Sequence, residues 1–96
     1  MSIYRFPPIT NTDGIEAKHQ LQKIKSELHE AIAAEMNYRC GVTDGNRRKE
    51  YGMELLDVIH ATETALRMEF TEDEAQRLRA KVIEKNAKRG YYEVRK

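Results

Sequence analysis

The sequence predicts an all-α protein, an antiparallel helical bundle whose core is completed by oligomerisation. Three observations carry this expectation. Charged residues make up 34% of the chain and aromatic residues 7%, with two prolines and five glycines, a mix that favours helices. Apolar residues recur with helical period in three separate stretches, and no segment alternates like a strand. A chain of 96 residues has room for one small core, and three helices of these lengths cannot enclose a four-helix core alone. Either the second helix bends and splits, or the chain pairs with another copy. A homodimer or homotetramer is expected.

Residues 1–12 hold both prolines, Pro7 and Pro8, and no helical period. They read as an extended arm that Tyr4, Phe6 and Ile9 pin to the body or to another subunit. Residues 13–96 form the single helical domain. Its first helix is expected from Asp13 to Met36. Asn11, Thr12 and Asp13 are good N-cap types, and Leu21, Ile24, Leu28, Ala31 and Ile32 share one face. Gly41, Asp44 and Gly45 supply turn chemistry in the break from Asn37 to Gly45.

The second helix is expected from Asn46 to Phe70. Tyr51, Leu55, Val58, Ile59, Thr62 and Leu66 line one face, and Ala61 and Ala65 mark another side where a neighbouring helix can come close. Thr71, Glu72, Asp73 and Glu74 spell a capping box, which stops this helix and starts a third, Glu72 to Arg89. Ala75, Leu78 and Val82 make its apolar line. Gly90 suits the left-handed position after a helix end, with Lys88 and Arg89 where the dipole favours cations.

The formal charge of +1 excludes a globally basic nucleic-acid binder. One cysteine, Cys40, excludes an internal disulfide framework and fits a reducing compartment. No apolar run approaches the ~18 residues that cross a bilayer. The opening residues lack the apolar core of a secretory signal. A cytoplasmic protein with no membrane partner is expected. The near-neutral total hides a segregation. Residues 77–96 hold eight bases and two acids, and residues 1–76 nine bases and fourteen acids. A solvated, frayed helix end accounts for this basic run better than nucleic-acid binding with Tyr91 and Tyr92 as stacking groups, because the run is short and the tyrosines are not interleaved with its cations.

Acids recur at a spacing of three in Asp13/Glu16, Glu27/Glu30, Glu54/Asp57 and Glu69/Glu72. Asp13/Glu16 and Glu72 stand at helix starts, where the dipole accounts for them. Glu27/Glu30 and Glu54/Asp57 lie mid-helix, where like charges gain nothing and slightly repel. Each pair flanks the apolar face of its helix. Two helices packed antiparallel along those flanks would gather four carboxylates at the edge of the core, which is unfavourable without cations. Hard divalent cations suit such oxygen ligands, Mg²⁺ first, with Mn²⁺ as a substitute. On spacing alone, solvated acids on amphipathic helices account for the same pairs, and the chain is then a small helical oligomeric adaptor without enzymatic activity.

On the third helix, Asn86 continues the line of Ala75, Leu78 and Val82, and Lys85 and Arg89 flank it. A polar amide with two cations at a helix end suits an anionic ligand. Glu16-x-x-His19 matches a di-iron carboxylate motif in letters but lies well before Glu27. Cys40 has no CxxC partner.

The order Glu27-x-x-Glu30, 23 intervening residues, then Glu54-x-x-Asp57 resembles the metal signature of the MazG-like nucleoside triphosphate pyrophosphohydrolases, an all-α superfamily that includes dimeric dUTPases. The segments KIKSELHEAIAAE and YGMELLDVIHATETALR look like the two core helices of that family, and KVIEKNAKRGYY looks like its closing K-N-x-x-R-G signature, especially in phage-type members. The likeness covers roughly residues 18–92. It departs at Ser26, where the fuller motif often has a second Glu. The resemblance implies Mg²⁺-dependent hydrolysis of a nucleoside triphosphate to the monophosphate and pyrophosphate. It implies Glu27, Glu30, Glu54 and Asp57 as metal ligands and catalytic groups. Lys85, Asn86 and Arg89, with Lys81 beside them, would contact the triphosphate or sugar.

Overall fold

The computed structural model describes residues 2–40 and 45–93. The turn residues Gly41 and Asp44, and the last three residues of the basic end, lie outside the described residues. The chain is helical, with α1 at Ala17–Arg39, α2 at Gly45–Glu69 and α3 at Glu72–Lys88. Among the described residues there is no strand, and no helix is long and apolar enough to cross a membrane. The second helix runs unbroken, so it does not split to close the bundle.

Helix α1 starts at Ala17, one turn later than Asp13. The expected cap residues serve a turn instead. Asn11 and Gly14 both take positive φ, +60° and +85°, and Ile15 N–H donates to Thr12 O at 3.1 Å. Glu16 takes the N-cap position with no side-chain cap bond. At the other end α1 continues to Arg39, past Met36.

Helix α3 follows its local signals closely. The Thr71 hydroxyl accepts from Glu74 N–H at 3.2 Å, and the Glu74 carboxylate accepts from Thr71 N–H at 2.9 Å. At the C-terminal end Gly90 has φ +76°, Tyr91 N–H donates to Asn86 O and Gly90 N–H donates to Ala87 O, both at 3.0 Å. These crossed bonds make a Schellman motif, which only a residue tolerant of positive φ can close without strain.

Helices α1 and α2 pack as an antiparallel hairpin. The seam is not the apolar stripe expected on α1. Gln20, Glu27 and Ala31 are buried there, with Ile24 half-buried, while Leu21, Leu28 and Ile32 remain exposed, Leu21 at 60%. On α2 the seam holds Ala61 and Thr64, and Leu55 and Ile59 are exposed. Small residues win the seam because they let two backbones approach. Gln20 Nε2 crosses it to Ala61 O at 2.9 Å. The large apolar residues of both helices lie to one side, as an uncovered face.

No comparable packing joins α3 to the hairpin among the described residues. Ala75 is buried, but Leu78, Val82 and Ile83 are exposed. The radius of gyration is 16.3 Å, against about 12 to 13 Å for a compact domain of this length.

The N-terminal arm is tied to α2. The buried Glu63 carboxylate accepts from Arg5 N–H at 2.9 Å and Phe6 N–H at 3.0 Å. Arg67 donates to Phe6 O at 2.8 Å and lies 3.9 Å over the Tyr4 ring. Tyr4 and Phe6 thus pin the arm as expected, whereas Ile9 is exposed.

Candidate metal centre

The hairpin seam brings acids of two helices together. Glu27 and Glu30 from α1 and Glu54 from α2 each offer a carboxylate oxygen, and these oxygens lie within 4.8 Å of one another. Glu27 is buried in the seam, Glu54 is half-buried, and Glu30 faces out. Asp57, the fourth expected ligand, is exposed on the next turn of α2 and stands outside this group. It is near enough to act electrostatically on Lys23.

The trio is electrostatically uneven. Lys23 Nζ lies 2.8 Å from Glu27 Oε1. That hydrogen bond holds the Glu27 carboxyl below the usual range; burial opposes it, and a second hydrogen bond with Glu30 adds to it. Glu30 is pushed the other way. Its hydrogen bond with Glu27 comes first, then the negative charge of Glu27, and the charge on Glu54 adds in the same direction. One carboxyl of the pair keeps its proton longer so that the other can stay ionised. Glu54 Oε2 is shut off from solvent and has no hydrogen-bond partner among the described residues.

An orphaned carboxylate oxygen is costly unless something binds it. Three carboxylates from two helices, one with such an oxygen, fit a hard divalent cation that completes its shell with water or phosphate. Beside them a cleft of about 260 Å³ opens between Glu30, Ala33, Ala34, Met53 and Glu54.

The expected anion-binding residues gather elsewhere. Lys81, Lys85 and Arg89, with Glu84 and Lys88, line a shallow concavity of about 510 Å³ on α3. Lys88 pairs with Glu84 at 3.2 Å. Asn86 is half-buried, does not line that concavity, and gives its carbonyl to Tyr91 N–H. No residue of α1 or α2 lines the basic concavity, and no residue of α3 lines the acidic cleft. His29 is exposed, as is Cys40.

Two features escaped the sequence reading. Lys23 looks like half of an ordinary solvated i, i+4 pair, and nothing local shows that its partner is buried. Glu63 looks like one more helix acid, and nothing local shows that the arm covers it. Comparison with family models, curated proteins and solved structures gives no match to this chain.

Proposed function

We propose that this protein is a Mg²⁺-dependent nucleoside triphosphate pyrophosphohydrolase of the MazG-like type, working as a homodimer or homotetramer. The observation that carries the reading is the convergence of Glu27, Glu30 and Glu54 from two helices, with Glu54 Oε2 buried and unpartnered. Glu27, Glu30 and Glu54 would hold the ion, and Asp57 one turn along α2 would join them. An ion held by these residues would supply charge neutralisation for phosphate oxygens and a lowered pKa for a bound water. Glu30, exposed and with its proton affinity raised, is suited to orient that water or take its proton. Lys85 and Arg89, with Lys81, would hold the phosphates and Asn86 would contact the triphosphate or sugar, which requires the basic concavity of α3 to come against the acidic cleft of the hairpin, within one copy or between two.

The uncovered apolar face of the hairpin supports assembly with further copies, because exposed apolar patches of this kind mark interaction surfaces. The same face is what a non-enzymatic helical adaptor would use. A pyrophosphate-release screen over canonical and modified triphosphates separates the two. The enzyme releases pyrophosphate from one or more of them with Mg²⁺, and EDTA abolishes it. Glu54→Gln and Asp57→Asn remove turnover and leave helicity unchanged. Unchanged turnover in both variants would show the metal assignment to be wrong. If no triphosphate is turned over or raises the melting temperature, the adaptor takes its place.

A further inference from the structure

The carboxylate trio is already partly neutralised from within the chain. Lys23 stands one helical turn before Glu27 on α1, and its Nζ meets Glu27 Oε1 at 2.8 Å. The two ends of this pair differ. The Lys23 side chain is 61% exposed and the Glu27 side chain 11%. The ammonium therefore reaches inward from solvent to a carboxylate in the seam. Its surroundings are acidic: Glu27 first, then Glu30 and Asp57, all favour its charged form. Three of the four acids singled out by spacing act on this one lysine. An exposed i, i+4 pair has neither a buried acid nor such neighbours, and it contributes little.

We infer that Lys23 is the resident counter-ion of the site: its ammonium balances the carboxylates until a divalent cation arrives, gives up Glu27 to that cation, and then faces the anionic substrate. This rests on the metal reading above and specifies how the site is regulated. Lys23 and a divalent cation draw on the same Glu27 carboxylate, so the two cations compete for its charge. A long, mostly solvated side chain can leave at low cost. Once released, the ammonium stays within a helical turn of the loaded site, where the remaining charge to answer is that of phosphate.

The consequence has opposite signs for metal and substrate. Lys23→Met removes the competitor and leaves the acids more negative, so Mn²⁺ should bind roughly three- to tenfold more tightly, by titration followed by electron paramagnetic resonance. Lys23→Arg keeps the charge and should bind Mn²⁺ like the wild type. In EDTA, Lys23→Met should melt at lower temperature than the wild type, and saturating Mn²⁺ should erase that difference. The KM for the nucleotide should rise in Lys23→Met. Because the side chain is largely exposed, both variants should fold. If wild type and Lys23→Met bind Mn²⁺ equally, Lys23 is an ordinary helix-surface pair and the inference is overturned, with the metal site intact. If the wild type binds no Mn²⁺ at millimolar concentration, the metal reading itself fails and the exchange falls with it.

Discussion

The ring of Phe6 stacks on that of His60 with centroids 4.7 Å apart and planes 16° from parallel. This contact, between the arm and the middle of α2, sits beside the place where the Glu63 carboxylate takes the N–H groups of Arg5 and Phe6. The arm is therefore part of the folded body. Glu63→Ala strands two amide donors in a partly buried setting and should cost about 2 kcal/mol. Thermal unfolding gives the magnitude. Hydrogen exchange at the Arg5 and Phe6 amides shows whether the loss is local, and unchanged protection there would refute the anchoring role.

The start of α3 should be sensitive to acid. The backbone N–H of Thr71 and then its hydroxyl hold the Glu74 carboxyl below its ordinary value. A carboxyl whose folded pKa is lowered stabilises the folded state above its unfolded pKa. That contribution is lost as pH falls through the folded value. Acid titration should therefore weaken α3 in the wild type and have less effect in Glu74→Gln. Thr71→Ala should cost about 1 kcal/mol at neutral pH. Helicity followed by circular dichroism against pH tests both statements.

Metal affinity should rise with pH. Glu30 holds its proton above the usual carboxylate range because of its hydrogen bond to Glu27. A cation must displace that proton, so binding releases it and weakens as pH falls through the raised value. Calorimetry in two buffers of different ionisation enthalpy counts the proton. Glu30→Gln should abolish its release, and a pH-independent affinity in the wild type would contradict the shared-proton arrangement.

Leu28, Ile32, Leu55 and Ile59 are exposed on the hairpin. If copies of the chain cover this face, Ile32→Glu or Leu55→Glu should dissociate the assembly. Neither should unravel the hairpin, because neither side chain is in the α1–α2 seam. Sedimentation equilibrium reads the first effect and circular dichroism the second. A wild type that is monomeric at all concentrations would remove this role from the face.

Legibility in the sequence followed the range of the interactions. The capping box at Thr71–Glu74 and the Gly90 stop were readable because their bonds span only a few residues. The start of α1 was not. Asn11, Thr12 and Asp13 are as good in turns as in caps, and the positive φ of Gly14 lets the turn win. Periodicity put Ala31 on the packed face of α1, and the small residues Ala61 and Ala65 marked where a helix comes close to α2. It did not show that these positions would take the seam while Leu21, Leu28 and Ile32 were left outside. The Glu27, Glu30 and Glu54 cluster was foreseen because its members flank those stripes. Asp57, on the next turn of α2, stands outside that group while still acting on Lys23, and the basic residues of α3 line a cleft of their own.

The two seam alanines have a further consequence. The carboxylates of the two helices meet within 4.8 Å across a seam in which Ala31 and Ala61 are buried and leave room for close approach. They act as the gauge of the carboxylate cage. Ala31→Val, one turn beyond Glu27, should prise α1 from α2 and loosen the cage without touching a ligand. A looser cage should shift preference from Mg²⁺ toward larger ions that tolerate longer bonds, such as Ca²⁺. On the metal reading proposed above, the size of the cation would thus be set by methyl groups that are not among its ligands.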